Sequence, residues 1–355
     1  MERNYFKQLN PLIKQYFNVL SQEIPDFLVD YIHTPEMLRL NDISLNCGTD
    51  YTKLYNIPLF YSTLDHSVGV ALIIWHFTHD KKQTIAGLFH DIATPVFKHC
   101  IDFVNGDYLI QESTEELTET LIRNSKSIMT LLNRDGIKVE EVMDYKIYPI
   151  ADNPSPKLSA DRLEYHFSAG LSFFPIWQID VIKQCYQHLY IAKNEDGENE
   201  IAFDDLKMAE VYMKKVSKLW PKWIENKDKL VMQFIADTIK KMLSLKLLTM
   251  EDLYHLTETE VIDLIEQAPK TISYYFKCFK EANSIIESDV PLAYDYGISF
   301  ETKRRYIIPL VNVNHQVRRV NQQIIEVEHI IQDYLNYKQP KYCLLYTSPS
   351  PRDCS

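Results

Sequence analysis

Side chains that commonly bind metal ions occur along this chain in the order His, His-Asp and Asp. They are His66, the adjacent pair His90 and Asp91, and Asp161. Two imidazoles and two carboxylates can surround one ion. Mixed nitrogen and oxygen ligation with open positions suits Mn²⁺, Fe²⁺, Co²⁺ or Ni²⁺ better than a closed structural zinc site. The sequence therefore predicts a divalent metal ion with positions left for water and an anionic substrate.

Each of these residues also has a simpler structural interpretation. His66 alone would more often be a hydrogen-bonded core histidine, and His90 alone could cap the C-terminus of a helix. Asp161 follows Ser159, so it also fits an acidic residue in the first turn of a helix, where the helix dipole favours it. The occurrence of all four in this order favours the metal site over these separate explanations.

Helical periodicity predicts the elements that carry the first ligands. Residues 62–79 have apolar side chains at helical spacing, which places His66 on or near a buried face. A second helical segment, residues 81–91, ends at the His-Asp pair. Thr94 and Pro95 then predict the start of a new helix. The turn between these helices should allow both members of the pair to reach one ion.

The rest of the chain is also predicted to be mostly helical. Residues 189–203 indicate a small β-hairpin around an Asp-Gly turn, and residues 300–311 alternate like a strand. Residues 250–265 indicate two short acidic helices, for which packing is favoured over DNA reading. We therefore expect an all-α fold in two parts. Residues 1–178 form a helical core with the metal site, and residues 179–342 form the hairpin and a helical C-terminal region.

Composition limits the classes of partner. The chain has 355 residues, 46% of them hydrophobic, and a net charge of −11. These values suit an ordinary globular protein that repels nucleic acid and anionic membranes, so a polyanionic substrate needs a metal or a local basic patch. Only eight glycines are present, and no glycine-rich nucleotide loop occurs. Nucleic acid and membrane are therefore not expected as partners, and a homo-oligomer is left open.

Cysteine spacing and the N-terminal sequence favour a cytoplasmic protein. The cysteines before residue 343 are far apart and show no CxxC spacing, which is typical of free thiols in a reducing compartment. The N-terminus lacks the apolar segment of a signal peptide, and no apolar run is long enough to span a bilayer.

The last thirteen residues, 343–355, are interpreted as foreign to the fold. Their sequence, CLLYTSPSPRDCS, resembles a transposase sequencing adapter translated as if it were coding DNA. A genuine disordered tail is the alternative. On the adapter interpretation the natural C-terminus is missing, and the folded chain is expected to end near Tyr342.

Three stretches carry a family resemblance: STLDHSVGV at 62–70, LFHDIA at 88–93 and SADRLEY at 159–165. They resemble the HD-domain metal-dependent phosphohydrolases, especially the branch of deoxynucleoside triphosphate triphosphohydrolases. The resemblance is good over residues 36–170 and weaker up to about 340. It implies that His66, His90, Asp91 and Asp161 bind the metal. It also implies hydrolysis of a phosphate ester or anhydride, with a nucleotide-like substrate.

The same resemblance suggests further site residues. His99 matches a histidine that assists catalysis, although Lys98 replaces the serine that precedes it in the family. Arg162 and Tyr165 match residues that approach the phosphates and the sugar; a solvated charge and a core tyrosine are the simpler alternatives. Glu112, with Glu115 and Glu116 beside it, could supply a general acid, whereas a run of acids on a helix is usually a solvated face.

Other positions depart from the family pattern. An arginine and two histidines of the relatives are replaced by Thr63, Thr94 and Gln111. Each lost charge-assisted contact costs about 1.5–3 kcal/mol, so we expect a monophosphate or small phosphoester to be cleaved better than a deoxynucleoside triphosphate. The alternative function is a catalytically decayed regulatory module that binds metal or nucleotide. The basic cluster at residues 303–305 could bind an anion, although exposed strand charges are the favoured interpretation.

Overall fold

The computed structural model describes residues 4–106, 117–291, 297–298 and 303–346. Within these ranges the chain is mostly helical, as the periodicity predicts. It is not purely α-helical, however, because two small β-sheets accompany the helices. The expectation of an all-α fold with a single hairpin is therefore wrong in this respect.

The helices and strands have the following bounds. The helices of the N-terminal half are α1 Tyr5–Gln8, α2 Pro11–Leu20, α3 Asp26–Ile32, α4 Pro35–Arg39, α5 Thr63–Thr78, α6 Lys81–Phe89, α7 Cys100–Asn105, α8 Thr118–Asn124, α9 Lys126–Asp135 and α10 Ala160–Ser172. Those of the C-terminal half are α11 Ile179–Gln187, α12 Leu206–Val216, α13 Asn226–Ser244, α14 Asp252–His255, α15 Glu258–Gln267, α16 Lys270–Glu281 and α17 Ile325–Asn336. The strands are β1 Leu189–Lys193, β2 Asn199–Phe203, β3 Ser284–Ser288, β4 Gly297–Ile298, β5 Leu310–Val313, β6 Gln316–Arg319 and β7 Tyr342–Tyr346.

The first sheet contains the predicted hairpin and has the strand order β1-β2-β5-β6. Strands β1 and β2 pair antiparallel from Leu189 opposite Phe203 to Lys193 opposite Asn199. Strand β5 joins β2 in parallel and turns back antiparallel into β6. The strand predicted over 300–311 starts only at Leu310, so the basic cluster precedes it and lies outside the sheet.

The second sheet has β7 at its centre, between β3 and β4, and both pairs are antiparallel. Residues 343–346 of the supposed foreign tail therefore lie within a sheet. Cys343 is fully buried, with its Sγ atom 3.8 Å from the backbone oxygen of Asn226. This placement runs against a folded chain that ends near Tyr342. Residues 347–355 lie outside the described residues, and their adapter origin stays a prediction.

Helix α5 lies at the centre of the N-terminal half. A capping box starts it: the Ser62 hydroxyl accepts from the Asp65 N–H, and the Asp65 carboxylate accepts from the Ser62 N–H. Its first twelve residues, Thr63–Ile74, are all buried. A helix that is apolar on every side is normally enclosed by its neighbours. His66, in the first turn, is therefore held in the interior.

Contacts in the core cross the predicted division at residue 178. One cluster of buried apolar side chains joins residues from both parts, such as Phe167 on α10 and Tyr212 on α12, whose rings lie 5.4 Å apart. The boundary between the two parts stays a prediction. Among the described helices, none combines the length and apolar character that crossing a bilayer requires.

Candidate metal centre

Three of the four predicted ligands converge on one point. The Nε2 atoms of His66 and His90 are 3.1 Å apart, and the Oδ1 atom of Asp161 lies 3.2 Å from the first and 4.0 Å from the second. The three ligand atoms all lie within 4.8 Å of one another. His66 comes from the start of α5, His90 follows the end of α6, and Asp161 is in the first turn of α10. The ends of three helices thus meet at the site.

His66 is held from behind by a buried carboxylate. Its Nδ1 atom donates to Glu164 Oε2 at 2.5 Å, and Glu164 also accepts from the hydroxyls of Tyr61 and Ser168, at 2.6 and 3.1 Å. Glu164 is fully buried on α10, one turn after Asp161. Gly69 makes this approach feasible, since a Cβ atom there would lie 2.7 Å from Glu164 Oε1. Such partners behind a ligand fix the ring and its tautomer.

His90 has a corresponding partner in the backbone. It occupies the C-cap position of α6, and its Nδ1 atom donates to the Gly87 carbonyl oxygen at 2.7 Å. Because both Nδ1 atoms donate, each ring in its neutral form directs an Nε2 lone pair at the same point. Two such lone pairs 3.1 Å apart repel unless a proton or a metal ion lies between them. This donor set fits a divalent metal ion.

The charges around the site also favour a cation. Burial would lower the pKa of His66, but Glu164 and Asp161 outweigh it and raise the pKa to about 10. Burial would raise the pKa of Asp161, and here His66 and His90 prevail and lower it below its usual range. The field that attracts a proton at His66 attracts a metal ion equally well, and an ion would displace that proton.

Asp91 lies beside this group and has a second partner. Its Oδ2 atom is 3.7 Å from His90 Nε2 and 2.6 Å from the Lys98 ammonium. Burial would raise the pKa of Asp91, but Lys98, His90 and His66 together lower it. Asp91 is therefore an ionised carboxylate at the edge of the site. Its role as a fourth ligand stays a prediction.

The backbone that carries Lys98 is unusual. Phe97 and Lys98 have φ angles of 63° and 48°, in the left-handed region that non-glycine residues seldom adopt. Glu258 at the start of α15 accepts the Phe97 N–H at 3.1 Å, and the Val96 N–H donates to Leu253 O at 2.8 Å. This turn replaces the helix predicted after Pro95, and α7 begins only at Cys100.

The candidate metal centre opens into a cavity of about 670 Å³. The basic cluster Lys303, Arg304 and Arg305 also lines this cavity, half-buried and outside any strand, so the interpretation of these residues as exposed strand charges is wrong. Arg304 donates to the backbone oxygens of Tyr334 and Tyr337, both at 2.7 Å, and so holds the end of α17. The Arg305 side chain makes no hydrogen bond or ion pair among the described residues, so its guanidinium is available to an anion.

Asp228, on α13, also lines the cavity, but it does not neutralise the charge of Arg305. Burial raises the pKa of Asp228 to about 8, aided by Glu225 and opposed by Arg305. The carboxyl group is therefore largely protonated at neutral pH. The positive charge of Arg305 is therefore retained in the cavity that the candidate ligands also line.

The other predicted site residues are placed with differing partners. His99 lines the cavity, and its Nδ1 atom donates to the buried Asp102 at 2.8 Å. Tyr165 also lines it, between His166 and Trp223. Arg162 lies at the cavity but is 8% exposed, and its guanidinium donates to Asp152 Oδ1 at 2.5 Å and to the Asn153 carbonyl oxygen. Arg162 is therefore not a solvated charge, and its guanidinium is held by protein acceptors rather than free to bind a phosphate.

The remaining sequence expectations concern positions away from the described cavity wall. Thr63 and Thr94 are buried and are not among the residues that line the cavity. Gln111, Glu112, Glu115 and Glu116 lie outside the described residues. The catalytic role of Glu112 therefore stays a prediction.

Several site residues were missed by sequence reasoning. Glu164 and Lys98 contact ligands directly, and the Tyr145 ring packs 4.9 Å from the His90 ring while its hydroxyl lies 3.4 Å from Asp161 Oδ2. Only Glu164 left a usable signal, since three residues after Asp161 on a helix it must lie near the same face.

The sequence is similar to that of the metal-dependent phosphohydrolase cns2 of Cordyceps militaris, with 26% identity over 151 residues. The match covers 41% of this chain and 41% of the fungal protein. The uncharacterized protein YdhJ of Bacillus subtilis is 31% identical over 102 residues, which are 28% of this chain and 31% of YdhJ. This chain thus spans less than half the length of either relative. No protein-family model matches the chain.

Solved structures resemble the whole chain more fully. A crystal structure of a phosphohydrolase from Bacteroides thetaiotaomicron has a TM-score of 0.62 and 13% identity, and the match covers 92% of this chain and 96% of the other. A hypothetical protein from Aquifex aeolicus has a TM-score of 0.61 and 14% identity, with 92% and 93% coverage. At these identities the likeness concerns the fold.

Proposed function

We propose that this protein is a metal-dependent phosphohydrolase of the HD type. The convergence of His66 Nε2, His90 Nε2 and Asp161 Oδ1 in a cavity that is also lined by a basic cluster carries the proposal. Asp91 is the proposed fourth ligand. A divalent ion at this point would polarise a phosphate oxygen and lower the pKa of a water molecule. The similarity to a fungal metal-dependent phosphohydrolase supports the same activity.

The proposed substrate is a nucleotide-like phosphate ester or anhydride, as in the branch of deoxynucleoside triphosphate triphosphohydrolases. A cavity of about 670 Å³ is large enough for such a compound. Tyr165, Phe173, Trp223 and Tyr306 line it and can pack against a base or sugar. Lys98 and Arg305, which both line the cavity, supply positive charge for the phosphate.

His99 is the proposed proton acceptor of the chain. Burial, with Arg305 and Lys98 acting in the same direction, lowers the pKa of His99, while Asp102 opposes the shift. The ring is therefore neutral at pH 7, and since Nδ1 donates to Asp102, Nε2 carries the free lone pair. Arg162 positions the loop at Asp152 and Asn153, and we assign it this role in place of direct phosphate binding.

Metal content and turnover test the proposal together. The purified chain is stripped of metal, reloaded in turn with Mn²⁺, Fe²⁺, Co²⁺ and Ni²⁺, and assayed on monophosphates, phosphodiesters and deoxynucleoside triphosphates. We expect metal-dependent phosphate release that is lost in His66→Ala. Metal binding without turnover on any phosphoester would instead favour the regulatory module.

The monophosphate preference is retained as part of the proposal. Thr63 and Thr94 offer no cation to the cavity, so a triphosphate lacks contacts that the relatives supply. We expect a higher kcat/KM for a monophosphate or small phosphoester than for any deoxynucleoside triphosphate. Efficient release of intact triphosphate would contradict this and would show that Arg305 and its neighbours replace the lost contacts.

The protein is further proposed to act in the cytoplasm. The five described cysteines are all free, which is typical of a reducing compartment. Their modification by a thiol reagent in freshly lysed cells, compared with a sample that was reduced first, checks this directly. Equal labelling of both samples is expected, whereas labelling only after reduction would contradict it.

A further inference from the structure

Lys98 brings a fixed positive charge against the candidate metal centre. Its ammonium lies 2.6 Å from Asp91 Oδ2, the carboxylate oxygen that is also 3.7 Å from His90 Nε2. The side chain is 8% exposed, and it lines the cavity. The ammonium thus has the ligand Asp91 on one side and the substrate space on the other.

The position of Lys98 is built into the fold. Its backbone has a φ angle of 48° next to Phe97 at 63°, a conformation that is unfavourable unless the surroundings impose it. Glu258, which is fully buried, holds the Phe97 N–H, and the Lys98 N–H donates to Pro95 O at 3.0 Å. A long side chain on a constrained and buried backbone has few other places for its charge.

We propose that the Lys98 ammonium occupies the outer side of Asp91 in place of a second metal ion, so that the centre binds one divalent ion beside one fixed ammonium. The inference rests on the proposed function. In two-metal phosphohydrolases the ions lie about 3.5–4 Å apart and act together on the substrate. Here the carboxylate oxygen that could join two ions is paired with Lys98.

The supply of ligands leads to the same conclusion. Within the described part of the chain, His66, His90 and Asp161 form the only group of three or more side chains suited to a metal ion. Asp152, another carboxylate at the cavity, is paired with Arg162. A second ion would therefore have to displace an ammonium and find ligands elsewhere.

A fixed ammonium has opposite effects on the two things that bind here. It repels the metal ion and neutralises Asp91, so it weakens metal binding. It also faces the cavity and can donate to a phosphate oxygen, so it strengthens phosphate binding. A merely structural lysine would shift both affinities in the same direction or neither.

The metal count is the first test. The stripped chain is titrated with Mn²⁺ alone, the bound metal is counted, and the electron paramagnetic resonance spectrum is recorded. We expect one Mn²⁺ per chain with the spectrum of an isolated ion. Two ions per chain with a spin-coupled spectrum would overturn the inference while leaving the proposed function intact. Absence of any bound metal would overturn both.

Substitution of Lys98 is the second test. In Lys98→Met we expect Mn²⁺ to bind about fivefold or more tightly, the effect of one unit charge a few ångströms away. Inorganic phosphate should bind the Mn²⁺-loaded protein about tenfold or more weakly, through loss of one charge-assisted hydrogen bond. Lys98→Arg, which keeps the charge, should change both affinities less.

Two further variants protect the test against a folding defect. Lys98→Asn removes the charge with a residue that tolerates the left-handed backbone, and it should reproduce both shifts. Lys82→Met removes a lysine that pairs with Glu141 on the surface, and it should change neither affinity. Unchanged Mn²⁺ and phosphate affinities in both neutral Lys98 variants would overturn the inference.

Discussion

The candidate metal ligands and the basic cluster line the same cavity but are supported differently. On the metal side the proposed ligands have supporting contacts: Glu164 holds His66, the Gly87 carbonyl holds His90, Lys98 pairs with Asp91, and the Tyr145 hydroxyl lies 3.4 Å from Asp161 Oδ2. The basic cluster that lines the same cavity precedes β5 and belongs to no helix or strand. The guanidinium of Arg305, in that cluster, has no hydrogen bond or ion pair among the described residues.

We infer from this difference that the metal-side residues serve the chemistry and that the basic cluster serves substrate choice. A metal ion requires its ligands within a few tenths of an ångström, so each ligand needs a supporting contact. A phosphate can be bound by an arginine from several directions, which an untied side chain allows. Substitution of the candidate ligands or their partners should therefore cause loss of metal, whereas substitution in the basic cluster should alter substrate affinity.

Loss of a ligand should have the largest effect. In His90→Ala we expect stoichiometric metal binding to disappear and phosphate release to fall by about a thousandfold or more. Metal content after dialysis and steady-state rates measure this. His76→Ala, an exposed histidine on α5, is the matched control and should keep both. Wild-type metal content in His90→Ala would contradict the site, and the same test applies to Asp91→Ala.

Removal of a supporting contact should have the next largest effect. Glu164→Gln keeps the size of the side chain but gives His66 Nδ1 an amide in place of a carboxylate. We expect metal affinity to fall about 10- to 100-fold, the usual range for such partners. Calorimetric titration with Mn²⁺ measures it. An unchanged affinity would show that metal binding by His66 does not depend on the Glu164 carboxylate, and it would contradict the contrast between the metal-side residues and the basic cluster.

Substitution of the neighbouring residues Arg304 and Arg305 in the basic cluster should have different effects. Arg305→Met should raise KM for a phosphoester about tenfold, through loss of one charge-assisted contact, with little change in metal affinity or melting temperature. Arg304→Met should lower the melting temperature, because the end of α17 loses two hydrogen bonds. If the two variants behave alike, the assignment of separate roles is wrong.

The buried carboxyl behind the Lys98 turn should make stability depend on pH. Burial raises the pKa of Glu258 from 4.5 to about 8, although Tyr51 and the backbone N–H groups of Ser44 and Phe97 oppose the shift. A carboxyl that binds its proton more tightly when folded stabilises the fold fully below pH 4.5. That contribution is lost as the pH rises through about 8.

Glu258→Gln imitates the neutral carboxyl and should remove this part of the pH dependence. Denaturant unfolding between pH 5 and 9 compares the variant with the wild type. We expect the free energy of unfolding to fall with rising pH in the wild type, and to fall less in the variant. Parallel curves for the two proteins would contradict the prediction.

The smallest effect should come from the C-terminal segment. The segment around strand β7 supports the start of α13. The Asn226 side-chain amide donates to Pro340 O at 2.9 Å, and Cys343 is buried beside Asn226. Deleting residues 343–355 should lower the melting temperature by several degrees, and deleting 347–355 should leave it unchanged. Equal melting temperatures for both truncations and the full chain would restore the original tail interpretation.

The sequence was most informative where chemistry depends on neighbours along the chain. His66, His90 and Asp161 were predicted from their order along the chain and from the family resemblance of the stretches around them, and local capping or periodicity signals placed each near a helix end. The β1-β2 hairpin was predicted for the same reason. Strands β3 and β7 are more than fifty residues apart in the sequence, and no local pattern shows that such segments pair.

The contacts that tune the site were harder to predict for physical reasons. Lys98 reaches Asp91 only because two non-glycine residues adopt left-handed backbone, which the helix signal at Pro95 argues against. Arg305 lines the cavity in a stretch that was predicted to be a strand, whereas β5 begins only at Leu310. Both depend on tertiary packing that overrides local preference.

Gly69 offers a practical aid for recognising other proteins with this site. A Cβ atom at Gly69 would meet Glu164, so the small residue three places after the first histidine and the glutamate three places after the last aspartate depend on each other. Sequences that share this site should therefore carry or lose the two together. A search that requires both His-x-x-Gly and Asp-x-x-Glu would separate them from proteins that share only the histidine and aspartate ligands.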